Sequence, residues 1–132
     1  MTKIPKQAPA EIPVGLMVVI TDVRQARRVL ARLRAQEAAG EEGLLEQAWF
    51  ISTPQAGSRL GPMWWRALLE EVGVPPARAI LRCGVDTGAA LAAVRSGVLA
   101  IEYTHDHPAL LALAEDSGMQ VWRALPADIK TC

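Results

Sequence analysis

The sequence has little cysteine, few aromatic residues and no excess of charge of either sign. Its two cysteines, Cys83 and Cys132, are too few for a disulfide-stapled secreted domain, and they lack the Cys-x-x-Cys spacing of many metal sites. The 14 basic and 14 acidic residues cancel to a formal net charge of zero. This balance argues against a broadly basic nucleic-acid-binding protein, so we expect no nucleic-acid partner.

Long apolar runs are also missing. The longest, Gly15 to Ile20, is far shorter than the roughly 18 residues that suggest a membrane span, and the N-terminal residues contain no apolar stretch of signal-peptide length. Lysine occurs only at Lys3, Lys6 and Lys130, in the terminal segments, which disfavours Schiff-base chemistry. We predict a soluble cytoplasmic protein with no membrane partner and no bound cofactor.

What the sequence does contain is an alternation of buried strands and amphipathic helices. Leu16 to Ile20 is a continuous apolar run typical of a strand buried on both faces, and four further short apolar runs follow it. Helical periodicity and helix-capping residues separate these runs, and no hairpin dipeptide joins any two of them. The predicted strands are 16–20, 48–51, 78–83, 98–103 and 119–123, and the predicted helices are 22–36, 62–72, 86–96 and 107–116.

This alternation predicts an α/β fold, because parallel strands need crossover connections, which are nearly always right-handed. We predict a three-layer sandwich of five mostly parallel strands and four helices, in a flavodoxin-like or Rossmann-like strand order 2-1-3-4-5. A different doubly wound order, and half of a (βα)8 barrel completed by a partner, stay open as alternatives. Residues 14–126 are expected to form this single domain, between an extended N-terminal lead-in at 1–13 and a C-terminal tail at 127–132.

Ligands of open α/β sheets bind beyond the carboxyl ends of the strands. The connection after the second strand, Ser52 to Gly61, is longer than the roughly 4–6 residues usual there, which suggests a functional or a mobile loop. It contains an arginine and several hydroxyls before a helix N-terminus, a combination that can hold a phosphate or a carboxylate. We predict that an anionic ligand contacts Asp22, Ser52, Thr53, Ser58 and Arg59.

Both histidines lie together after the fourth strand, in His105-Asp106-His107. Imidazole titrates near neutral pH, so these residues are candidates for general acid–base catalysis or for binding a metal. No third ligand is fixed by spacing, and we therefore predict no metal site, with His105 and His107 as the candidates if there is one. In the alternative interpretation, Asp106 or His107 caps the helix that follows.

Asp86-Thr87-Gly88 matches the short signature of retroviral-type aspartic proteases, which pair two such aspartates across an all-β dimer. In an α/β chain, Asp86 is better explained as a helix N-cap. Cys83 lies just before it and would need a histidine as base to act as a nucleophile, but buried cysteines are more often small apolar residues. If the protein is an enzyme, we predict that its catalytic residues are His105, His107 and Asp86.

Trp64 and Trp65 are consecutive on the second predicted helix and so point about 100° apart. With their apolar neighbours they give this helix an apolar face wider than contact with one sheet requires. We therefore expect one indole near the surface and an interface at these two residues. A second copy of the chain is the expected partner, because symmetric homodimers are the commonest assembly.

Two classes of function follow from these observations. The first is a small binding or regulatory domain that takes an anionic small molecule or a protein partner at the carboxyl edge of the sheet. The alternative is a metal-assisted hydrolase or lyase that acts on a phosphorylated metabolite, using His105 and His107 with Asp22 and Asp86. The sequence alone does not decide whether the protein is an enzyme.

Overall fold

The computed structural model of the chain describes residues 16–125. The predicted lead-in at 1–13 and the predicted tail at 127–132 lie outside these residues. The four predicted helices correspond to α1, α4, α5 and α6, and two short helices, α2 and α3, are added to them. The elements are β1 (Leu16–Val19), α1 (Val23–Ala38), α2 (Leu44–Gln47), β2 (Ala48–Ile51), α3 (Ala56–Arg59), α4 (Gly61–Val72), a 3-10 turn (Pro76–Arg78), β3 (Ala79–Gly84), α5 (Thr87–Arg95), β4 (Ala100–Tyr103), α6 (Pro108–Asp116) and β5 (Gln120–Trp122).

The five strands form one sheet in the order β1-β2-β3-β4-β5, and every neighbouring pair is parallel. The predicted α/β class and the five-stranded parallel sheet are therefore confirmed. The predicted order 2-1-3-4-5 is wrong, because β2 pairs with β1 on one side and with β3 on the other. A right-handed crossover can step to either side of a strand, and a strand's own residues do not specify the direction of the step.

The helices of the described residues lie on one face of the sheet. Alternate strand residues such as Val18, Phe50 and Leu81 share one apolar cluster with Leu30 of α1 and Trp65 of α4, and the buried aliphatic and aromatic residues of the helices all belong to it. Within residues 16–125 the domain thus has two layers, not the predicted three. When right-handed crossovers always step in the same direction, their helices fall on the same face.

This arrangement agrees with one of the alternatives that the sequence left open. Parallel strands in sequential order, with helices on one side only, are the arrangement found in part of a (βα)8 barrel. Completion of such a barrel by a partner stays a prediction. No helix among residues 16–125 has the length and apolar character needed to cross a membrane.

The opposite face of the sheet has a smaller apolar core of its own. Trp49 on β2 and Trp122 on β5 meet edge to face with 5.5 Å between their ring centroids. The two indoles therefore lean toward each other over the intervening strands β3 and β4. The guanidinium of Arg78 stacks on Trp49, 4.3 Å from the ring centroid. This second core consists of Val19, Trp49, Ile51, Ile80 and Ala100.

Candidate functional site

The strands β1 to β5 all end at the carboxyl edge of the sheet, and the observed strand order determines which of the loops there are neighbours. In the predicted order, β1 would separate β2 from β3, whereas in the structure β2 and β3 are direct neighbours. The loop after β2 therefore lies beside the loop after β3. As a result, Ser58 of α3 lies near Asp86, and its hydroxyl adds to the effect of the Ala89 backbone N–H in lowering the pKa of this carboxylate.

The loop after β2 is folded against the sheet. Its central part is α3, in which Ala56 and Gly57 are buried. A Cβ atom at Gly57 would lie 2.7 Å from the carbonyl oxygen of Arg82 and 3.0 Å from Cys83 Sγ. These distances are too short for any side chain, so glycine is what permits this close approach. The contact holds α3 in place on β3.

A cavity of about 500 Å³ opens on this loop. Arg59 is exposed at the cavity, and it forms no ion pair with another residue of the described range. A guanidinium, a hydroxyl and an amide therefore surround a space large enough for a small polar molecule. The lining residues are Thr53, Gln55, Ala56, Arg59 and Leu60.

Ser52, which was predicted to contact the ligand, has a structural role instead. The side chain is completely buried. Its Oγ accepts a hydrogen bond from the backbone N–H of Arg82 at 2.9 Å and donates one to the carbonyl oxygen of Thr53 at 3.0 Å. The prediction for Ser52 is therefore wrong, because its hydroxyl is used to join β2 to β3.

Asp22 is separated from the other predicted site residues. It caps α1, with Oδ1 accepting a hydrogen bond from the backbone N–H of Gln25 at 2.8 Å. Because β2 lies between β1 and β3, about two strand spacings, roughly 10 Å, separate the end of β1 from that of β3. The structure does not bring Asp22 together with Asp86. In the described part of the chain, no three His, Cys, Asp or Glu side chains are grouped so as to hold a metal ion.

Asp86 and His107 both cap helices at this edge. Oδ1 of Asp86 accepts a hydrogen bond from the backbone N–H of Ala89 at 2.9 Å, and this bond is the main reason that the pKa of Asp86 lies below its ordinary value of 3.8. His107 Nδ1 accepts a hydrogen bond from the backbone N–H of Leu110 at 3.1 Å. Both capping interpretations are confirmed, and a catalytic role for either residue stays a prediction.

His105 lies in a group that sequence reasoning did not recognise. The ring of buried Tyr103 lies 6.4 Å from that of His105, and the Tyr103 hydroxyl is 2.6 Å from Thr87 Oγ1. Arg123 donates a hydrogen bond to the carbonyl oxygen of His105 at 3.1 Å. The sequence contained one signal for this group, which is Tyr103, the only tyrosine of the chain. A tyrosine within an apolar strand is expected to be buried, and a buried phenol needs a hydrogen-bond partner.

A second missed feature is an ion pair on the sheet face opposite the helices. Arg82 on β3 and Glu102 on β4 are register partners, with Nε 3.0 Å from Oε1 and Nη2 3.4 Å from Oε2. Glu102 is only 8% exposed. The sequence signal is a single charged residue within each of two apolar strands, because a charge that is largely buried requires a partner of opposite sign.

Cys83 is unsuited to nucleophilic chemistry. Burial, together with the negative charges of Asp86 and Glu102, raises the pKa of the thiol from 9.0 to about 12. The thiolate is the reactive form of cysteine, so this thiol is essentially inert near neutral pH. Cys83 is therefore a small apolar residue of the main core, as the more conservative interpretation predicted.

The tryptophan pair on α4 divides between the core and the surface. Trp64 is half-buried against the main core, which confirms that one of the two indoles lies near the surface. Trp65 is completely buried, so its predicted place in an interface is wrong. An interface at Trp64 stays a prediction.

Comparison with known protein families, with curated proteins and with solved structures finds no match for this chain. The carboxyl edge combines a cavity beside Arg59 with helix caps and hydroxyl groups that hold the surrounding loops in place. Such an arrangement is suited to binding a small polar molecule on a rigid surface.

Proposed function

We propose that the protein is a cytoplasmic binding domain that holds a small molecule with a phosphate or carboxylate group in the cavity beside Arg59. The observation that carries this proposal is the cavity of about 500 Å³ whose lining includes the exposed Arg59 guanidinium. Arginine offers two parallel N–H donors to a phosphate or a carboxylate, a geometry that lysine does not provide. Among the described residues, no acidic partner occupies these donors.

The position and the rigidity of the cavity also support this proposal. It lies beyond the carboxyl end of β2, and in parallel α/β folds, including those with strands in sequential order, ligands bind at the carboxyl ends of the strands. Thr53 and Gln55 add a hydroxyl and an amide, which are neutral hydrogen-bonding groups. Because Gly57 packs tightly on β3, the loop does not have to be ordered when the ligand binds, and preorganisation of this kind favours affinity.

The experiment that tests the proposal is a titration of the full chain with inorganic phosphate and with a panel of phosphorylated and carboxylated metabolites. Calorimetry and thermal unfolding measure the binding. A ligand that binds the folded protein raises the unfolding midpoint. We expect Arg59→Ala to weaken binding by about 10- to 100-fold, because a hydrogen bond to a charged group contributes about 1.5–3 kcal/mol. We expect Arg59→Lys to lie between this variant and the wild type.

The matched control is Arg28→Ala, which removes an exposed arginine from α1 and leaves the cavity intact. Sodium chloride at equal ionic strength controls for general effects of salt. The proposal is overturned if none of the anions binds, or if Arg28→Ala weakens binding as much as Arg59→Ala does.

A further inference from the structure

A groove runs along α4 from Met63 to the amino ends of β3 and β4. Its volume is about 640 Å³. Two side chains that line it, Met63 and Leu99, are 64% and 46% exposed, and Leu60, one turn before Met63, is 52% exposed. These three are half of the six large apolar side chains exposed among residues 16–125. Clustered exposed apolar residues commonly mark an interaction surface.

The charges on α4 identify what fits this surface. Arg66 and Glu70 are exposed, opposite in charge and one helical turn apart, and both line the groove. If two copies of α4 pack antiparallel about a two-fold axis, Arg66 of each copy faces Glu70 of the other. A surface that carries both signs in this order is complementary to itself, which is what a symmetric interface requires.

The same register also brings the apolar groups together. In an antiparallel contact, a step of three residues toward the start of one helix corresponds to a step of three residues toward the end of the other. If position 66 faces position 70, position 63 therefore faces position 73. The four positions lie within about 80° of one another around the helix. Gly73 has no side chain, and with Val74 and Leu99 it lines one end of the groove. Met63 of each copy would therefore enter the groove of the other.

We propose that α4 and this groove form the interface of a symmetric homodimer, with the Arg66–Glu70 pairs at its centre and Met63 seated in the groove of the second copy. The interface lies on the helix that the sequence indicated, but on the face of Met63 and not at Trp65, which is completely buried. The groove and the Arg59 cavity have no lining residue in common, and Leu60, one turn before Met63, borders the Arg59 cavity.

The test is sedimentation equilibrium and light scattering of the full chain over a wide range of concentrations. We expect the wild type to dimerise. Arg66→Glu or Glu70→Arg alone brings like charges together twice per dimer, so each variant should weaken dimerisation about tenfold. The double variant restores opposite charges and should recover most of the affinity. Arg66 also donates a hydrogen bond to the carbonyl oxygen of Ser96 at 2.7 Å. The Arg66→Glu variant and the double variant both lack this bond, so a recovery of dimer affinity in the double variant is due to the pairing of positions 66 and 70.

Met63→Asp should weaken dimerisation more than either charge variant, because it places a carboxylate in an apolar groove. Leu113→Asp is its control, since Leu113 is 42% exposed on α6 and does not line the groove. Circular dichroism of each variant establishes that it is folded. A wild type that stays monomeric overturns the proposal. So does a dimer that withstands all of the α4 substitutions, or a double variant as weak as the single ones.

Discussion

At the scale of single residues, Gly57 determines how the loop after β2 is placed. It lies in α3 at a distance from β3 that leaves no room for a Cβ atom. The neighbouring residue Ala56 is also buried, and it lines the Arg59 cavity. A glycine with no hydrogen-bonding side chain thus contributes to the candidate site by allowing the loop to pack on the sheet.

We expect Gly57→Ala to lower the free energy of unfolding by about 1–3 kcal/mol, the usual cost of forcing extra volume into a packed region. The added Cβ would lie 2.7 Å from the carbonyl oxygen of Arg82, which is backbone and cannot rotate away. Urea unfolding measures the change. Gly88→Ala is the matched control, because its Cβ would approach only Asp86 Oδ1, at 3.4 Å. Equal stability of the Gly57→Ala protein and the wild type would contradict the packing described here.

At the scale of elements, two helices of this domain, α1 and α5, begin at aspartates that are recognisable as caps in the sequence. Asp22 precedes α1 and Asp86 precedes α5, and each accepts a hydrogen bond from the backbone N–H three residues later. Asp86 also lies near Ser58 of the loop after β2, so one carboxylate joins a local cap to a contact between loops. Its charge should therefore affect stability in a pH-dependent way.

The folded-state pKa of Asp86 lies below 3.8, so its charge stabilises the fold above the unfolded pKa and this contribution is lost as the pH falls through the folded pKa. We expect Asp86→Asn, which keeps the capping geometry, to be slightly less stable than the wild type at pH 7, and the difference to disappear in acid. Asp86→Ala also loses the cap and should cost about 1 kcal/mol at pH 7. Urea unfolding from pH 7 down to pH 2 tests both expectations. A constant difference between Asp86→Asn and the wild type would contradict the assigned role of the charge.

At the scale of the whole molecule, the strand order places all the helices of the described residues in one layer. One consequence is a contact between α1 and α4, where Arg27 Nη2 lies 2.9 Å from Glu71 Oε2. In the order 2-1-3-4-5 the crossover after β1 and the crossover after β2 step in opposite directions, which puts their helices on opposite faces of the sheet. Contact between these two helices therefore distinguishes the two orders.

We expect Arg27→Cys combined with Glu71→Cys, in a Cys132→Ser background, to be joined within one chain by a short thiol-specific crosslinker. Cys83 should not interfere, since burial raises its pKa to about 12. Mass spectrometry of the digested monomer locates the crosslink. Arg27→Cys with Leu113→Cys is the control, because α1 and α6 lie at opposite ends of the helix layer. Failure of the first pair to crosslink would contradict the observed order.

The local features of this fold and its parallel α/β class could be predicted from sequence, whereas the strand order and the contacts between strands could not. The strand Ala48–Ile51, the end of α4 at Gly73 and the Asp22 cap all follow from residues close together in the chain. Ser52 was misinterpreted because a serine at a strand end can face a ligand or a neighbouring strand. The Arg82–Glu102 pair was missed because it requires knowledge of which strands are neighbours.

The sequence by itself determined the five strands and the four longer helices, since periodicity and capping act over a few residues. Only the tertiary structure decided that β2 lies between β1 and β3, that Ser58 therefore lies near Asp86 while Asp22 stands apart, and that Arg59 borders a cavity. The physical reason is that several apolar strands of similar composition can pair with one another about equally well. The choice among them depends on how all the helices and strands pack together, not on any one segment.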